Sequence, residues 1–204
     1  MPQSCSTSQE AENDAETGMQ DLEQEQEPHY LDEVWTLYFH EPSDTDWNTS
    51  SYLRVADVSS LEDYASVRHA LRGYTVHGML FLMREHIFPC WDDKNNIEGG
   101  CLSIKMPKQA LEGFWVELCM RVLGEKLTIS GADADVVNGV SSSPKMFYSI
   151  VKIWLSREMS PSAFDIPPGF KGDVIYKPNR EFIRASQTTT DSRLSLAPAA
   201  LDTA

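Results

Sequence analysis

No Lys or Arg occurs in the first 53 residues, and this absence decides how the net charge of −14 should be read. Thirteen of the thirty-one acids, Glu10 through Asp46, fall in that stretch and give it −13. Residues 54–204 hold eighteen acids and seventeen bases and carry only −1. The acidity belongs to one end, so a local basic patch on the remainder is free to meet phosphates. Cysteine is short on pattern as well: Cys5, Cys90, Cys101 and Cys119 form no Cys-x-x-Cys pair, and the five His are too scattered to complete a ligand set. No metal site is expected, and reduced thiols are. The chain also lacks a long apolar run and a signal-peptide pattern, so no membrane association and a cytoplasmic location are expected. No nucleophile or matched His accompanies its paired acids Asp92 and Asp93, which argues against an enzyme, a catalytic residue or a cofactor.

What is present fits one domain with a real core. Residues 1–28, rich in Ser, Gln, Glu and Ala, cannot bury enough apolar surface and are expected to be a disordered acidic tail. The domain is expected over 29–184, and 185–204 return to a disordered composition. β-branched and aromatic runs predict strands at Val34–Phe39, Tyr52–Val58, Tyr74–Arg84, Cys101–Met106, Met146–Leu155 and Asp173–Tyr176. Ser59-x-x-Glu62 has capping-box spacing and opens a short helix to about Leu71. Tyr64, Val67 and Leu71 share its buried face, and Leu61 and Ala65 lie on a neighbouring one.

The strongest helix signal runs from Pro107, at a first helical position, to Gly124, just past the end. Leu111, Phe114, Trp115, Leu118 and Val122 make its core stripe. Val116, Met120 and Leu123 fall roughly opposite, an apolar strip that needs either a second protein layer or a partner. A polar linker rich in Gly, Ala, Asp and Ser then leads to residue 146. On the strand that follows, Val151, Ile153 and Leu155 face one way, and Ile150, Lys152 and Trp154 the other. Lys152 beside Trp154 suits a ligand face, or an edge strand with a snorkelling Lys. Lys171, Lys177, Arg180 and Arg184 make the far end basic.

Phe88-Pro89-Cys90-Trp91-Asp92-Asp93-Lys94-Asn95-Asn96, closed by Gly99-Gly100, stands out chemically. A Trp followed by a carboxylate, on a loop stiffened by Pro89, offers a flat π face and two acceptors to one planar ligand. Guanine presents two parallel donors to such a carboxylate, and a positive charge on its ring adds cation–π attraction. A buried Trp beside a solvated acidic turn is the plainer alternative. Trp47, on a loop of Asp, Thr, Asn and Ser, is either a second ligand wall or a side chain folded back on the sheet.

Taken together these residues resemble the eukaryotic mRNA cap-binding translation initiation factor 4E family, from about His29 to about Tyr176. The likeness rests on His29-x-Leu31-x-x-x-Trp35, Trp47, Leu61-Glu62-Asp63-Tyr64, Pro89-x-Trp91-Asp92-Asp93, Asn96-x-x-Gly99-Gly100, Phe114-Trp115-x-Glu117, Gly124-Glu125 and Ile153-Trp154. It implies an α+β fold: a curved antiparallel β-sheet with helices on the convex face and a cap-binding slot on the concave face. By the same resemblance Trp47 and Trp91 sandwich 7-methylguanine, Asp92 holds its N1 and N2 edge, the Trp91 backbone N–H its O6, and Trp154 its methyl group. Lys145 matches an arginine that binds the triphosphate, and Lys152 lies where it can assist. The partner site maps to His29, Tyr30, Leu61, Ala65, Val116, Met120 and Gly124 on the convex face. The implied partners are capped mRNA and a scaffold of the initiation factor 4G type or a 4E-binding regulator.

The chain departs from the family at several of these places. Asp92 stands for a Glu, Cys101 for a phosphate-facing Arg, Ile150 for a Lys and Ala65 for a Trp, and the long helix before the last strand is cut to Ser156–Ala163. These losses are those of a divergent member, such as a protozoan one. The implied function is cap binding with recruitment of mRNA to an initiation scaffold. A cap-binding repressor, or an interaction module that has lost cap binding, are the alternatives.

Overall fold

The computed structural model describes residues 27–170 and 172–185. The strands are β1 (Tyr30–His40), β2 (Tyr52–Ser60), β3 (Met79–Arg84), β4 (Gly100–Pro107), β5 (Val137–Pro144), β6 (Tyr148–Leu155) and β7 (Ile175–Pro178), and the helices are α1 (Leu61–Ala70) and α2 (Lys108–Leu123), with a short helical stretch at 179–185. The strands form one curved antiparallel sheet in the order β2-β1-β3-β5-β6-β4-β7. Period-2 alternation divides the side chains between its faces. Leu80, Leu82, Leu102, Ile104, Val151, Ile153 and Leu155 join the main core beneath the helices. Phe81, Met83, Cys101 and Trp154, with Tyr52 and Ile87, make a smaller cluster on the other, concave face.

The expected strand alternation at 150–155 and the α2 stripe of Leu111, Phe114, Trp115, Leu118 and Val122 are as the sequence indicates. The largest difference is β5, which runs through what composition marks as a polar linker. Its Asn, Gly and Ser residues have poor strand propensity, but crowding between β3 and β6 selects small side chains. A Cβ on Gly139 would lie 2.3 Å from Met83 Sδ and 2.6 Å from the Leu82 carbonyl oxygen. Strand β6 begins at Tyr148, not Met146, because Lys145 N–H bonds the Tyr148 carbonyl and puts Met146 and Phe147 in an exposed turn. Strand β3 begins at Met79, not Tyr74: Gly73, at φ 84°, ends the preceding turn, and Tyr74–Val76 form a single 3-10 turn. Strand β1 extends to Tyr30 and His40, and β7 lies two residues beyond the expected run.

The caps also differ from expectation. The N-cap of α1 is Ser60, whose hydroxyl accepts from Asp63 N–H while Asp63 accepts from Ser60 N–H, one residue later than the Ser59/Glu62 pattern. Glu62 instead accepts from His29 N–H at 2.9 Å. Pro107 ends β4 and caps α2 from outside. At the other end, Glu125 N–H reaches the Val122 carbonyl and Lys126 N–H the Arg121 carbonyl, the paired bonds of a Schellman turn. The left-handed residue is Glu125, at φ 52°, where glycine is usual; Gly124 stays at φ −86°. The buried Arg84 guanidinium, 3.1 Å from the Glu125 carboxylate, holds that unfavourable backbone in place. Leu123, expected on the uncovered strip, is buried in the main core, as are Leu127 and Val136 beyond this turn. The long-helix position before β7 holds only the 3-10 turn Pro161–Ala163.

The expected tails, 1–28 and 185–204, fall almost entirely outside the described residues, as does Lys171. No helix among the described residues is long and apolar enough to cross a membrane.

Two glycines give opposite expectations. Gly139→Ala should destabilise the protein by about 1–3 kcal/mol, the usual cost of overpacking. Gly113, inside α2 with open space where its Cβ would be, should give about 0.5–1 kcal/mol of added stability as Ala. Urea unfolding measures both; equal midpoints for the two variants would show that β5 has slack.

Candidate functional site

The loop between β3 and β4 is built around side-chain amides and one carboxylate. Asp93 Oδ1 accepts from Asn95 N–H at 2.8 Å and from its Nδ2 at 3.0 Å, and Oδ2 accepts from Phe88 N–H at 3.3 Å. The fully buried Asn96 donates Nδ2 to the Phe88 carbonyl at 3.1 Å and the Cys90 carbonyl at 2.8 Å, and its Oδ1 accepts from Asn138 Nδ2 at 2.9 Å. Its carbonyl accepts from Asn179 Nδ2 at 2.8 Å. One acid is thus consumed in holding the loop, while its neighbour Asp92 remains exposed on it. Burial and Asp92, through a hydrogen bond and its charge, push the Cys90 thiol up to about 12, so the thiol stays protonated.

Trp91, Lys152 and Trp154 converge on the concave face. The Lys152 ammonium lies 5.2 Å from the Trp91 ring centroid and 5.9 Å from that of Trp154. Trp154 Nε1–H donates to Ser141 Oγ at 3.0 Å, which fixes its ring, whereas the buried Trp91 Nε1–H has no hydrogen-bond partner among the described residues. Trp47 is 51% exposed and stacks on His40 at 4.3 Å and 6°. The His40 ring is held in turn by the Asp46 carbonyl at 2.8 Å. Trp91 stacks on Phe182, centroids 4.9 Å apart at 17°. The two tryptophans assigned to one sandwich are therefore each stacked on another ring.

Cations follow the same face toward the β5–β6 turn. Residues 100–107 and 137–155 contain Lys105, Lys145 and Lys152 and no acid. Lys105 sits 4.2 Å above the Tyr148 ring, and Lys145 is exposed at the turn next to Phe147, itself 80% exposed. Cys101 is buried, its thiol donating to Asn179 Oδ1 at 3.3 Å and pushed up to about 12 by burial. It offers a phosphate no charge.

On the opposite side, the His29 ring lies 2.7 Å from Glu62 Oε1 and the His29 carbonyl accepts from Leu61 N–H, which ties the start of β1 to α1. This contact holds the exposed Glu62 carboxyl below its usual range. Tyr30, Leu61, Ala65, Met120 and Gly124 are exposed and Val116 half-buried. Val116 also lines an apolar cleft between α1 and α2 with Tyr64, Val67, Leu71 and Cys119. The seven residues of the expected partner surface thus come from the start of β1 and the residue before it, from α1, and from α2 and its C-cap.

Sequence reading missed His40, Asn138, Asn179 and Phe182 among the residues that shape the site. Asn138 lies on the strand that composition hides. Asn179 and Phe182 belong to a helical stretch at 179–185 that has only one apolar turn to announce it.

A family model described as Eukaryotic initiation factor 4E matches residues 30–184. Eukaryotic translation initiation factor 4E-3 of Caenorhabditis elegans is 26% identical over 62% of this chain and 53% of its own length. Eukaryotic translation initiation factor 4E of Eremothecium gossypii is 28% identical over 55% of each. The match spans about half the length of these relatives. Among solved structures, the complex of C. elegans factor 4E-3 with the 4E-binding protein Mextli has a TM-score of 0.65 at 19% identity, covering 76% of this chain and 96% of that one. The Schistosome factor complexed with m7GpppG and 4E-BP has a TM-score of 0.59 at 23% identity, covering 68% and 78%. At these identities the structural likeness is one of fold.

Burial lowers the Lys152 ammonium below its usual value of 10.5; the nearby Cys101 opposes this, and Lys145 and Lys177 add to it. Below the lowered value both native and unfolded chains hold the proton. Between it and 10.5 the unfolded chain binds more protons than the native one, so stability contributed at this site rises with pH in that window. The difference in urea midpoint between the parent and Lys152→Met should therefore shift in the parent's favour as pH rises from about 7 toward 10. A difference that stays constant would mean that Lys152 is as hydrated in the native state as in the unfolded one.

Proposed function

Because the chain belongs to the eukaryotic initiation factor 4E family, we propose that in the cytoplasm its concave face binds the 7-methylguanosine cap of mRNA and its convex face recruits an initiation scaffold of the factor 4G type or a 4E-binding regulator. The observation that carries this reading is the convergence of Trp91, Trp154 and a cation on one sheet face, beside an exposed Asp92 on a loop whose second acid is already engaged. Methylation leaves guanine with a positive ring, which electron-rich indoles attract more than a neutral one. Trp91 supplies one wall, Trp47 presents its outer face as the second, and Trp154 closes the methyl end. The unpartnered Trp91 Nε1–H is a donor available at the same place.

Asp92 accepts from the guanine N1 and N2 donors, with the shorter reach of Asp met by its exposed position. The triphosphate then follows Lys152 and Lys145, with Lys105 on the same face, in place of the arginine position that Cys101 has buried. Replacing an Arg fork by separate ammonium groups gives point-charge contacts, with strong salt dependence and less directional grip. The event is binding, with no bond made or broken.

Fluorescence titration tests the cap reading directly. 7-Methyl-GTP should quench Trp emission far more than GTP, and Trp91→Ala should weaken binding by about 1–3 kcal/mol, the range for one base-stacking platform. Equal quenching by the two nucleotides would remove the cation–π argument.

The convex reading has its own test. Val116→Asp with Met120→Asp should abolish capture of scaffold or regulator peptides of the Tyr-x-x-x-x-Leu type and leave cap binding intact. With Ala65 in place of a large aromatic anchor, parent binding to such peptides should already be weak. Loss of cap binding in the double variant would show these side chains to be structural.

A further inference from the structure

The ring that stacks on Trp91 in this structure belongs to the chain itself. Phe182 lies nearly parallel to the indole at 4.9 Å, an arrangement a bound base would also adopt. The Lys152 ammonium completes the group, 4.5 Å from the Phe182 centroid and 5.2 Å from that of Trp91. A flat ring against the indole and a positive charge over it are the two features that 7-methylguanine would bring.

We propose that Phe182 and Lys152 form an internal stand-in for the ligand, so that a base ring stacks on the Phe182-covered face of Trp91 only after displacing Phe182, and that Phe182 thereby sets the affinity of the slot. The inference rests on the cap-binding reading above and deepens it. The segment carrying Phe182 is suited to such a movement. Its first residue, Asn179, is fully buried, with N–H on the Gly99 carbonyl at 3.0 Å and Nδ2 on the Asn96 carbonyl at 2.8 Å. Arg180 pairs with Glu98 at the neighbouring position. From Glu181 onward the described residues continue one short helical stretch and are exposed or half-buried. A side-chain rotation of Phe182, or a shift of the helical turn that carries it, moves the ring without breaking β7 from β4. Once the aromatic cage holds a cationic base, Lys152 has less reason to remain over the rings and is placed to turn toward the phosphates.

The thermodynamic consequence is simple. A ligand that binds only the open form has its dissociation constant raised by the inverse of the open fraction, so a stand-in seated nine-tenths of the time weakens binding about tenfold. Removing the Phe182 ring lifts that penalty.

The test uses the full chain, 7-methyl-GTP as ligand, and the parent, Phe182→Ala and Phe182→Leu proteins. Ligand-free acrylamide quenching of Trp emission comes first. It should rise in Phe182→Ala, and the rise should vanish when Trp91→Phe is added. Fluorescence titration should then show Phe182→Ala binding about three- to tenfold more tightly than the parent, with Phe182→Leu between them. Unchanged affinity, or unchanged quenching in the free protein, would overturn the proposal. Weaker binding by Phe182→Ala would overturn it in favour of Phe182 as a wall that holds the ligand. Binding by Phe182→Ala alone would support it strongly. Binding by none of the proteins would defeat the cap reading, and this proposal with it, a result distinct from binding that Phe182 does not alter.

Discussion

The geometry around Trp91 depends on one buried side chain, the carboxamide of Asn96. A fully buried amide is tolerated only when its partners are nearly complete, and those of Asn96, side chain and backbone carbonyl together, come from three separate parts of the chain. Its donors hold the Phe88 and Cys90 carbonyls, which flank Pro89 and immediately precede Trp91. Its acceptor takes Asn138 from β5, and its backbone carbonyl takes Asn179 from the segment after β7. The ligand loop is therefore not a mobile appendage on a rigid sheet. Its shape is set by where β5 and the final segment run, and loss of either leaves buried polar groups unpaired in the others.

This dependence explains which parts of the molecule were legible in sequence. Strand β6 and helix α2 read clearly because each buries one face against the core, and that burial writes its own period into the residues. Strand β5 did not, because its constraints are steric and polar. Gly139 is there so that Met83 and Leu82 can come close, and Asn138 is there to bond Asn95 and Asn96. None of those demands produces a hydrophobic pattern. Leu123 failed for a related reason. Helical angles place it away from the core stripe, but it is buried in the same core as Leu127 and Val136, which follow the Schellman turn, and a wheel drawn on one helix holds no information about the chain beyond it. The candidate aromatic residues were legible as types, Trp47, Trp91 and Trp154, while the rings they stack on were not, since His40 and Phe182 carry no motif.

The concave face carries a cation at Lys152 and an uncharged thiol at Cys101, and a lysine differs in character from an arginine. An Arg at position 101 would remain ionised under almost any burial, but Cys101 has instead joined the network that fixes Asn179. Lys152, on the adjacent strand β6, is a group whose ionisation responds to its surroundings. Half-buried among aromatic rings, it has its charge disfavoured. A triphosphate placed beside it acts in the opposite sense, favouring the proton and strengthening its own attraction. Phosphate binding at such a Lys is coupled to proton uptake wherever the pH lies near the lowered pKa, which an Arg at the same place cannot provide. With Cys at 101 and Lys at 152, the phosphate contact proposed above would be conditional on what else occupies the aromatic pocket.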